Sequence, residues 1–310
     1  MFLPGGPDDV ASMITAIIVN YHTSQLTARA VSSVLADQPD AQVVVVDNSE
    51  SVAEEQALRS LLPAQVECIV PPENIGFGRA CNLGYSKARY DWILLLNPDA
   101  FVLEGCIAAL VTFLQETPRA GAVSPRIYWD EGLAWLAPPI LMHTPFTEAG
   151  MAFLLRHPWL GERVSRMFCR WAVQCITTGH PVEQHMLSGG HMLLRKSAIE
   201  AAGGLFDPSF FMYYEDTDLC RRLRLSGSKL YLVPAGRAVH EWSATAGKTH
   251  ISAESRSHYF HKHFPRSWLL AWRTRLEQGR SPVRLLDGVS LGLRQTPLFF
   301  PYRRGCTQGG

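Results

Sequence analysis

The segment Asn97-Pro98-Asp99 places two oxygen-bearing side chains directly after the apolar run of residues 92–96. Five consecutive apolar residues predict a strand that is covered on both faces, as in a parallel sheet. Pro98 has no N–H and a fixed φ, so the strand cannot continue through it. Ligands of open α/β sheets bind beyond the carboxyl ends of the strands, where a carboxylate suits a hard divalent cation. Asp99 is therefore a candidate metal ligand, with an ordinary Asn-Pro turn as the alternative.

A second acidic segment follows the aromatic-rich residues 210–214 and contains Glu215, Asp216 and Asp218. Acids at a helix N-terminus are favoured by the helix dipole, so capping is one explanation. Capping needs one acid or two, whereas three stand here beside Phe and Tyr side chains. Crowded carboxylates next to apolar rings tend to have raised pKa values, which suits a general base. This segment is therefore a candidate for removing a proton from a hydroxyl.

His240 ends an apolar segment and could join the two acids in one site. A histidine at a strand end is more often a surface or core residue than a ligand. Even so, Asp99 could hold a metal, His240 could complete the metal's shell and Asp216 could deprotonate an incoming hydroxyl. Together they have the equipment to displace a diphosphate leaving group.

Alternating strands and helices must position these residues. Residues 14–20, 42–47 and 66–70 read as strands, and helical patterns cover about 24–35 and 52–62. Three such alternations in 70 residues predict a parallel, doubly wound sheet. Further elements are expected as a helix at 104–116, strands at 122–127 and 229–233, and a turn before Ala238.

The loop around Gly76 and Gly78 becomes a helix that carries Asn82. Glycines permit close backbone approach, and a helix N-terminus favours an anion, although a plain β–α connection would look similar. No G-x-G-x-x-G motif follows the first strand, which counts against a dinucleotide-binding Rossmann fold.

Composition narrows the function classes. The hydrophobic content of 47% and net charge of +1 describe a globular protein with no overall signal for nucleic acid. Residues 255–310 hold ten Lys/Arg against two acids, which points to an anionic surface or partner. Seven cysteines without a CxxC pair fit a reducing compartment. Residues 1–10 do not resemble a signal peptide and no apolar run could span a membrane, so we expect a cytoplasmic protein.

Residues 129–185 are rich in Trp, Pro, Met and His and contain helical patterns at about 149–155 and 163–173. Arginines alternate there with large apolar residues, as in an amphipathic insertion that meets lipid or a hydrophobic acceptor. A helix packed on the sheet with its arginines in water is the alternative.

Five motifs occur in a characteristic order: Ile18-Val19-Asn20-Tyr21, Val46-Asp47-Asn48-Ser49, Asn74-Ile75-Gly76-Phe77 with Asn82-Leu83-Gly84, Leu96-Asn97-Pro98-Asp99, and the segment 211–219. In these motifs the sequence resembles the family 2 inverting glycosyltransferases with the GT-A fold, especially the bacterial rhamnosyltransferase-like branch. The resemblance spans about residues 14–240.

The resemblance implies an α/β fold of the GT-A, Rossmann-like type: a mostly parallel central sheet flanked by helices, with a C-terminal helical extension. The glycosyltransferase domain would comprise residues 1–254. Within it we expect a nucleotide-sugar half at about 12–128, an insertion at about 129–185 and an acceptor or catalytic half at about 186–245. Residues 255–310 would form a basic, aromatic, helical extension.

Roles for individual residues also follow from the resemblance. Asp216 matches the catalytic base, with Glu215 as its partner in the Glu-Asp pair. Asp99 and His240 match ligands of Mg²⁺ or Mn²⁺, and Asn97 stands where the stricter motif has Asp, which could lower metal affinity. Six residues would line the nucleotide-sugar pocket: Asn20, Asp47, Asn74, Gly76, Asn82 and Asn97.

The resemblance thus predicts a metal-dependent inverting transfer from a nucleotide diphosphate sugar to a glycan or lipid-linked acceptor in cell-surface polysaccharide synthesis. Within this branch dTDP-rhamnose is the favoured donor, while UDP-galactofuranose, UDP-glucose and UDP-N-acetylglucosamine stay open. A non-catalytic scaffold that binds nucleotide-sugars is the alternative from another class. The basic extension suggests peripheral association with the inner face of the cytoplasmic membrane, or closure of the acceptor site.

Overall fold

A computed structural model describes residues 13–241, 249–266 and 302–303 of the chain. Within these residues, strands and helices alternate in the first half as expected. The strands are β1 (Ile14–Asn20), β2 (Gln42–Asp47), β3 (Glu67–Ile69), β4 (Trp92–Leu96), β5 (Ala100–Val102), β6 (Ala120–Tyr128), β7 (Trp135–Leu136), β8 (Val182–Gln184), β9 (His191–Arg195), β10 (Lys229–His240) and β11 (Tyr302–Arg303). The helices are α1 (Ser24–Asp37), α2 (Val52–Leu61), α3 (Phe77–Tyr85), α4 (Cys106–Glu116), α5 (Pro145–Arg156), α6 (Pro158–Thr177), α7 (Lys196–Ala201), α8 (Glu215–Leu225) and α9 (Thr249–His263).

The described strands form one sheet in the order β11-β7-β6-β9-β4-β1-β2-β3, and β10 lies off this path beside β5, β6 and β8. Strands β3, β2, β1 and β4 are parallel, as the alternating pattern predicts. Beyond β4 the sheet is mixed, because β9 pairs antiparallel with both β4 and β6. The chain enters β9 from the carboxyl edge of β4, so β9 must run in the opposite direction. The expected parallel arrangement therefore describes one half of the sheet.

The core consists of two helix layers on the two faces of this sheet. Alternate residues of β1 point to opposite sides: Ile18 packs with α1, α2 and α4, whereas Ile17 packs with α3, α7 and α8. Every residue of β1, β2 and β4 is buried, as expected for strands covered on both faces. Such a core fixes the carboxyl ends of the strands, where the candidate residues lie.

Strand β10 differs from the sequence-based prediction. A short strand followed by a turn before Ala238 was expected, and this was wrong, because β10 runs without interruption from Lys229 to His240. Its register against β6 shifts between Val233 and Arg237, at the segment that contains Pro234. Proline cannot donate to the ladder, so the strand bulges there and then resumes. The resumed part pairs with β5, a strand that sequence reasoning missed.

Two further segments bear on function. Helices α5 and α6 occupy much of the expected 129–185 insertion, and both are longer than their sequence patterns suggested. Helix α9 crosses the expected boundary between residues 254 and 255, and most of the 255–310 extension lies outside the described residues. Among the residues that the structure describes, no helix has the length and apolar character needed to cross a membrane.

Candidate active site

Asp99 and His240 meet at the carboxyl edge of the sheet. Asp99 directly precedes β5, and antiparallel pairing sets the adjacent Ala100 opposite His240 at the end of β10. His240 Nε2 lies 3.1 Å from Asp99 Oδ1, and both residues are only 5% exposed. The sequence-based pairing of this acid with a histidine 141 residues away is thus reproduced in space.

His191 adjoins this pair and was not singled out from the sequence. Its ring centroid lies 5.6 Å from that of His240, and its Nδ1 lies 2.9 Å from Ser124 Oγ. Burial, reinforced by the neighbouring His240, lowers the pKa of His191 to about 3. His191 therefore stays neutral at physiological pH. The pairing of Leu96 with His191 places it here, and only the strand register could have indicated that position.

The residues at this edge fit a divalent cation that is shared with a substrate. Within the described residues no cluster of three His, Cys, Asp or Glu side chains could form a complete metal site. Mg²⁺ is commonly held by one or two carboxylates together with substrate phosphates, so a full protein shell is not required. The buried carboxylate of Asp99 and the imidazole of His240 could supply one oxygen and one nitrogen ligand to such a cation.

Asn97 lies against the loop before β9. Its backbone N–H donates to the Gly190 carbonyl oxygen (2.8 Å), and a Cβ on Gly190 would come within 2.6 Å of the Asn97 side-chain Nδ2. A side chain at Gly190 would therefore require the Asn97 amide to move from its present position. The contact brings the end of β4 to the 188–191 loop.

Asp216 is held from the other side of the same loop. Gly189 N–H donates to Asp216 Oδ2 (3.3 Å), and Thr217 N–H donates to Oδ1 (2.7 Å). Because Gly189 and Gly190 are consecutive, this one loop contacts both Asn97 and Asp216. The structure therefore brings the Asp99 and Asp216 segments to one end of the sheet.

The turn that presents Asp216 has an unusual backbone. Tyr213 and Tyr214 both adopt left-handed conformations, with φ values of 68° and 67°. Aromatic residues rarely do so, and such strain concentrates at functional sites. The turn starts α8 abruptly, burying Glu215 and leaving Asp216 partly exposed.

The two adjacent acids of this turn share a buried environment. Burial raises the pKa of Asp216, although hydrogen bonds from Gly189 and Thr217 oppose the rise. Burial raises the pKa of Glu215 to about 8, with a contribution from the charge of Asp216. Oε2 of Glu215 is buried and has no hydrogen-bond partner among the described residues. Both carboxyl groups are therefore weaker acids than usual, and Glu215 is mostly protonated at neutral pH.

A cluster of ionisable side chains that sequence reasoning missed lies next to this turn. His143 Nδ1 lies 3.0 Å from Glu148 Oε1, and Arg256 Nη2 lies 2.6 Å from Glu148 Oε2. The His143 ring is 4.9 Å from that of Tyr214, and the electrostatic influence of His143 on Asp216 opposes the rise in the pKa of that carboxyl. These residues come from the loop before α5, from α5 itself and from α9, and no local motif joins them.

Ion pairs and a hydrogen bond join helix α9 to α8 and to the turn before it. Lys262 Nζ and His263 Nε2 each lie 2.7 Å from Asp218 Oδ1, while Arg222 Nε donates to Oδ2 at 2.7 Å. Burial opposes ionisation, but these partners outweigh it and hold the pKa of Asp218 well below its usual range. Ser255 Oγ adds a 2.7 Å hydrogen bond to the Met212 carbonyl oxygen. Asp218 thus has a structural role.

Asn20 and Asp47 meet at the ends of β1 and β2. Asn20 Nδ2 donates to Asp47 Oδ1 at 2.9 Å, and Asn20 Oδ1 accepts from Thr27 Oγ1 at 2.7 Å. Asn20 is fully buried, so its side-chain amide hydrogen-bonds to other protein groups at this edge of the sheet. Oδ2 of Asp47 is buried and has no hydrogen-bond partner in the described part of the chain, so it could accept from a ligand.

Glu54 also belongs to this edge and was not identified from the sequence. Its Oε1 accepts from the Ser24 N–H at 3.0 Å, and Asn20 Nδ2 lies 3.3 Å away. Burial would raise its pKa, but hydrogen bonds from Ser24 and Asn20 prevail and lower it. Glu54 therefore carries a negative charge beside Asn20 at the ends of β1 and β2.

Asn74 and Gly76 lie between Asn48, at the end of β2, and the segment that precedes α8. Asn74 Oδ1 accepts from Asn48 Nδ2 at 2.7 Å and from the Gly76 N–H at 3.0 Å. Gly76 has φ +81°, and a Cβ there would stand 2.3 Å from the carbonyl oxygen of Phe211. That carbonyl instead accepts the Phe77 N–H at 2.8 Å. The loop after β3 and the segment before α8 are thus in backbone contact.

Asn82 holds the same segment farther along. Its Nδ2 donates to the Phe206 carbonyl oxygen (2.8 Å), and its Oδ1 accepts the Phe206 N–H (3.0 Å). Both polar ends of this amide are therefore used within the protein. The structure gives Asn82, like Asn20, an internal positioning role, and a direct contact of either with a nucleotide stays a prediction.

Two rhamnosyltransferases are among the proteins to which this chain is similar. The chain is 28% identical over 81% of its length to N-acetylglucosaminyl-diphospho-decaprenol L-rhamnosyltransferase of Mycobacterium tuberculosis, 84% of which is covered. It is 26% identical over 74% of its length to rhamnosyltransferase WbbL of Escherichia coli K12, 83% of which is covered.

Among solved structures, the fold is similar to that of GalNAc-T7 crystallised with UDP, GalNAc and Mn²⁺, with a TM-score of 0.56 and 17% identity. The match covers 80% of this chain and about half of that one. The model for glycosyl transferase family 2 matches residues 15–176, just over half of the chain. This protein is therefore a glycosyltransferase, and it belongs to glycosyl transferase family 2.

Proposed function

We propose that this protein transfers rhamnose from dTDP-rhamnose, with inversion, to a hydroxyl of a lipid-diphosphate-linked sugar. The observation that carries the proposal is the convergence of Asp99 and Asp216 at one edge of the sheet, through the contacts of Asn97 with Gly190 and of Gly189 with Asp216. Two rhamnosyltransferases among the relatives, one of them named for a decaprenol-diphosphate substrate, favour this donor and acceptor.

The geometry suggests how the residues would act. Asp216 accepts the proton of the acceptor hydroxyl as its oxygen attacks the anomeric carbon, and the bond from that carbon to the diphosphate oxygen breaks. Attack from the face opposite the leaving group inverts the anomeric centre. A protonated Glu215 keeps a second negative charge away from the approaching diphosphate.

Asp99 and His240 would hold Mg²⁺ or Mn²⁺, which when bound stabilises the negative charge on the departing diphosphate. At the other end of the donor, Oδ2 of Asp47, which is buried and has no hydrogen-bond partner among the described residues, would accept an N–H from a pyrimidine base. Thymine and uracil both carry such an N–H, so this contact does not by itself choose between dTDP and UDP donors.

A donor panel tests the proposal. The purified protein is incubated with Mn²⁺, an N-acetylglucosaminyl-diphospho-lipid and one nucleotide-sugar at a time, and products are identified by mass spectrometry. We expect a deoxyhexosyl product from dTDP-rhamnose that disappears with EDTA. A product from UDP-glucose, UDP-N-acetylglucosamine or UDP-galactofuranose alone would overturn the donor assignment. Donor binding without turnover of any sugar would favour the scaffold alternative.

A further inference from the structure

Helices α5 and α6 form a helical hairpin, residues 145–177. They approach closely at the turn between them, since a Cβ on Gly161 would lie 3.1 Å from the Leu154 carbonyl oxygen. The end of α6 anchors the hairpin through Ala172, Cys175 and Ile176, which are buried. Much of the remaining hairpin surface faces solvent.

The exposed surface of the hairpin carries large apolar side chains. Trp159 is 66% exposed, Met167 70% and Phe146 78%. Scattered apolar residues are normal on protein surfaces, but grouped ones mark an interaction site. The others that are exposed on the hairpin are Met151, Phe153, Val164 and Trp171.

One face of α6 combines these apolar groups with positive charge. Residues 159, 163, 166, 167 and 170 recur at helical spacing, so they share a face. Arg163, Arg166 and Arg170 together with Met167 line a shallow depression. The sequence of α6 contains a single acid, Glu162. A cluster of guanidinium groups in this arrangement is complementary to phosphate.

Positive charges interleaved with Trp and Met on an exposed helix are the composition of helices that lie in a membrane interface. Aromatic side chains favour the headgroup level, and cations near the surface are attracted to anionic lipid. We propose that the 145–177 hairpin docks on an anionic lipid bilayer through the Trp159–Arg170 face of α6.

The base of the hairpin borders the catalytic turn. Glu148 on α5 pairs with His143, whose ring packs near Tyr214 two residues before Asp216. A docked hairpin would therefore place the catalytic turn close to the headgroup layer. This link to catalysis rests on the proposed function, because it requires an acceptor carried by a lipid, whereas docking itself does not.

Vesicle co-sedimentation of the full-length protein tests the docking. The triple variant Arg163→Ala/Arg166→Ala/Arg170→Ala is compared with Lys87→Ala/Arg89→Ala/Arg119→Ala, which loses the same charge at exposed positions near the amino ends of β4 and β6. We expect wild type to bind phosphatidylglycerol vesicles but not phosphatidylcholine vesicles. The α6 variant should partition at least tenfold less, and the control variant should behave as wild type.

Several outcomes would overturn the inference. If both triple variants lost vesicle binding equally, the effect would be due to net charge and not to the α6 face. If the α6 variant bound vesicles as well as wild type, the membrane contact would lie elsewhere, for example in the 255–310 extension. A change of oligomeric state in Trp159→Ala/Met167→Ala, seen by sedimentation velocity, would identify the face as a contact between copies. Donor binding by calorimetry is measured in parallel, so that failure of docking and failure of the glycosyltransferase proposal are distinguished.

Discussion

The backbone N–H of Gly189 lies 3.3 Å from Oδ2 of Asp216 and donates to it. This hydrogen bond supports the ionised form of the carboxylate and fixes its direction. Because the next residue, Gly190, binds the backbone of Asn97, the proposed base and the proposed metal ligand depend on one two-glycine loop.

Replacing Asp216 by Asn should abolish transfer while leaving the donor bound. An amide can still accept from Gly189 and Thr217, but it cannot take up a proton. We expect the rate to fall by about 10²–10⁴, the usual contribution of a general base. Rates are measured at saturating donor, and donor affinity by calorimetry. The exposed Asp91→Asn, at the start of β4, serves as the matched control, and normal turnover of Asp216→Asn would contradict the assignment.

Replacing Asp99 by Ala should weaken the binding of the nucleotide-sugar only when Mn²⁺ is present. The variant removes a carboxylate ligand and leaves the Asp47 end of the pocket untouched. Calorimetric titration of the donor, with Mn²⁺ and with EDTA, gives the comparison. If Mn²⁺ strengthened donor binding equally in the variant and the wild type, Asp99 would not be a metal ligand.

Substitution of Gly76 by Ala should be more costly than the same change at Gly105. Both glycines have positive φ, so both variants carry the backbone penalty. Only at Gly76 would the new Cβ meet a backbone atom, Phe211 O at 2.3 Å, whereas nothing lies within 4 Å at Gly105. We expect Gly76→Ala to lower the free energy of unfolding by about 1–3 kcal/mol more in urea titrations. Equal losses of unfolding free energy in the two variants would mean that the segment around Phe211 shifts without cost to accommodate a Cβ on residue 76.

Asp218→Asn should destabilise the fold at neutral pH and reduce its acid sensitivity. The pKa of Asp218 is lower in the folded state, so its contribution is present above the pKa of a free carboxyl and is lost as pH falls through the lowered value. We expect the variant to lose about 3 kcal/mol at pH 7, because Lys262, His263 and Arg222 lose their shared partner.

Urea unfolding at a series of pH values from neutral downwards measures this effect. Glu55→Gln is the control, because Glu55 pairs with Arg59 on an exposed helix face and should contribute less than 1 kcal/mol. A stability curve for Asp218→Asn that is parallel to the wild-type curve would contradict the predicted linkage.

The sequence predicted the parts of this structure that depend on local pattern. The apolar runs of β1, β2 and β4 are buried on both faces, and the polar residues after them stand at one edge. The position of Asp216 at a helix start was also predicted, because acids and aromatic residues mark it. The Asp99–His240 pairing was first suggested by combining candidate residue types and was then implied by resemblance to a family, since no local rule relates residues so far apart.

The missed residues belong to contacts that only tertiary packing creates. Glu148 and Arg256 are 108 residues apart and meet because α9 packs beside α5. His191 reaches the Asp99 pair because β9 inserts antiparallel between β4 and β6. The sequence could not show that the Asn20 side chain is hydrogen-bonded within the protein, since its partners come from β2 and α2.

The pairing of β5 with the end of β10 also has a consequence for biosynthesis. His240 is synthesised 141 residues after Asp99, so the nascent chain carries the proposed metal ligand long before its histidine partner. Contacts this distant in sequence close late and slowly. We therefore expect the competence to bind a metal–nucleotide complex to be acquired late in maturation, after β10 has been made and has paired with β5.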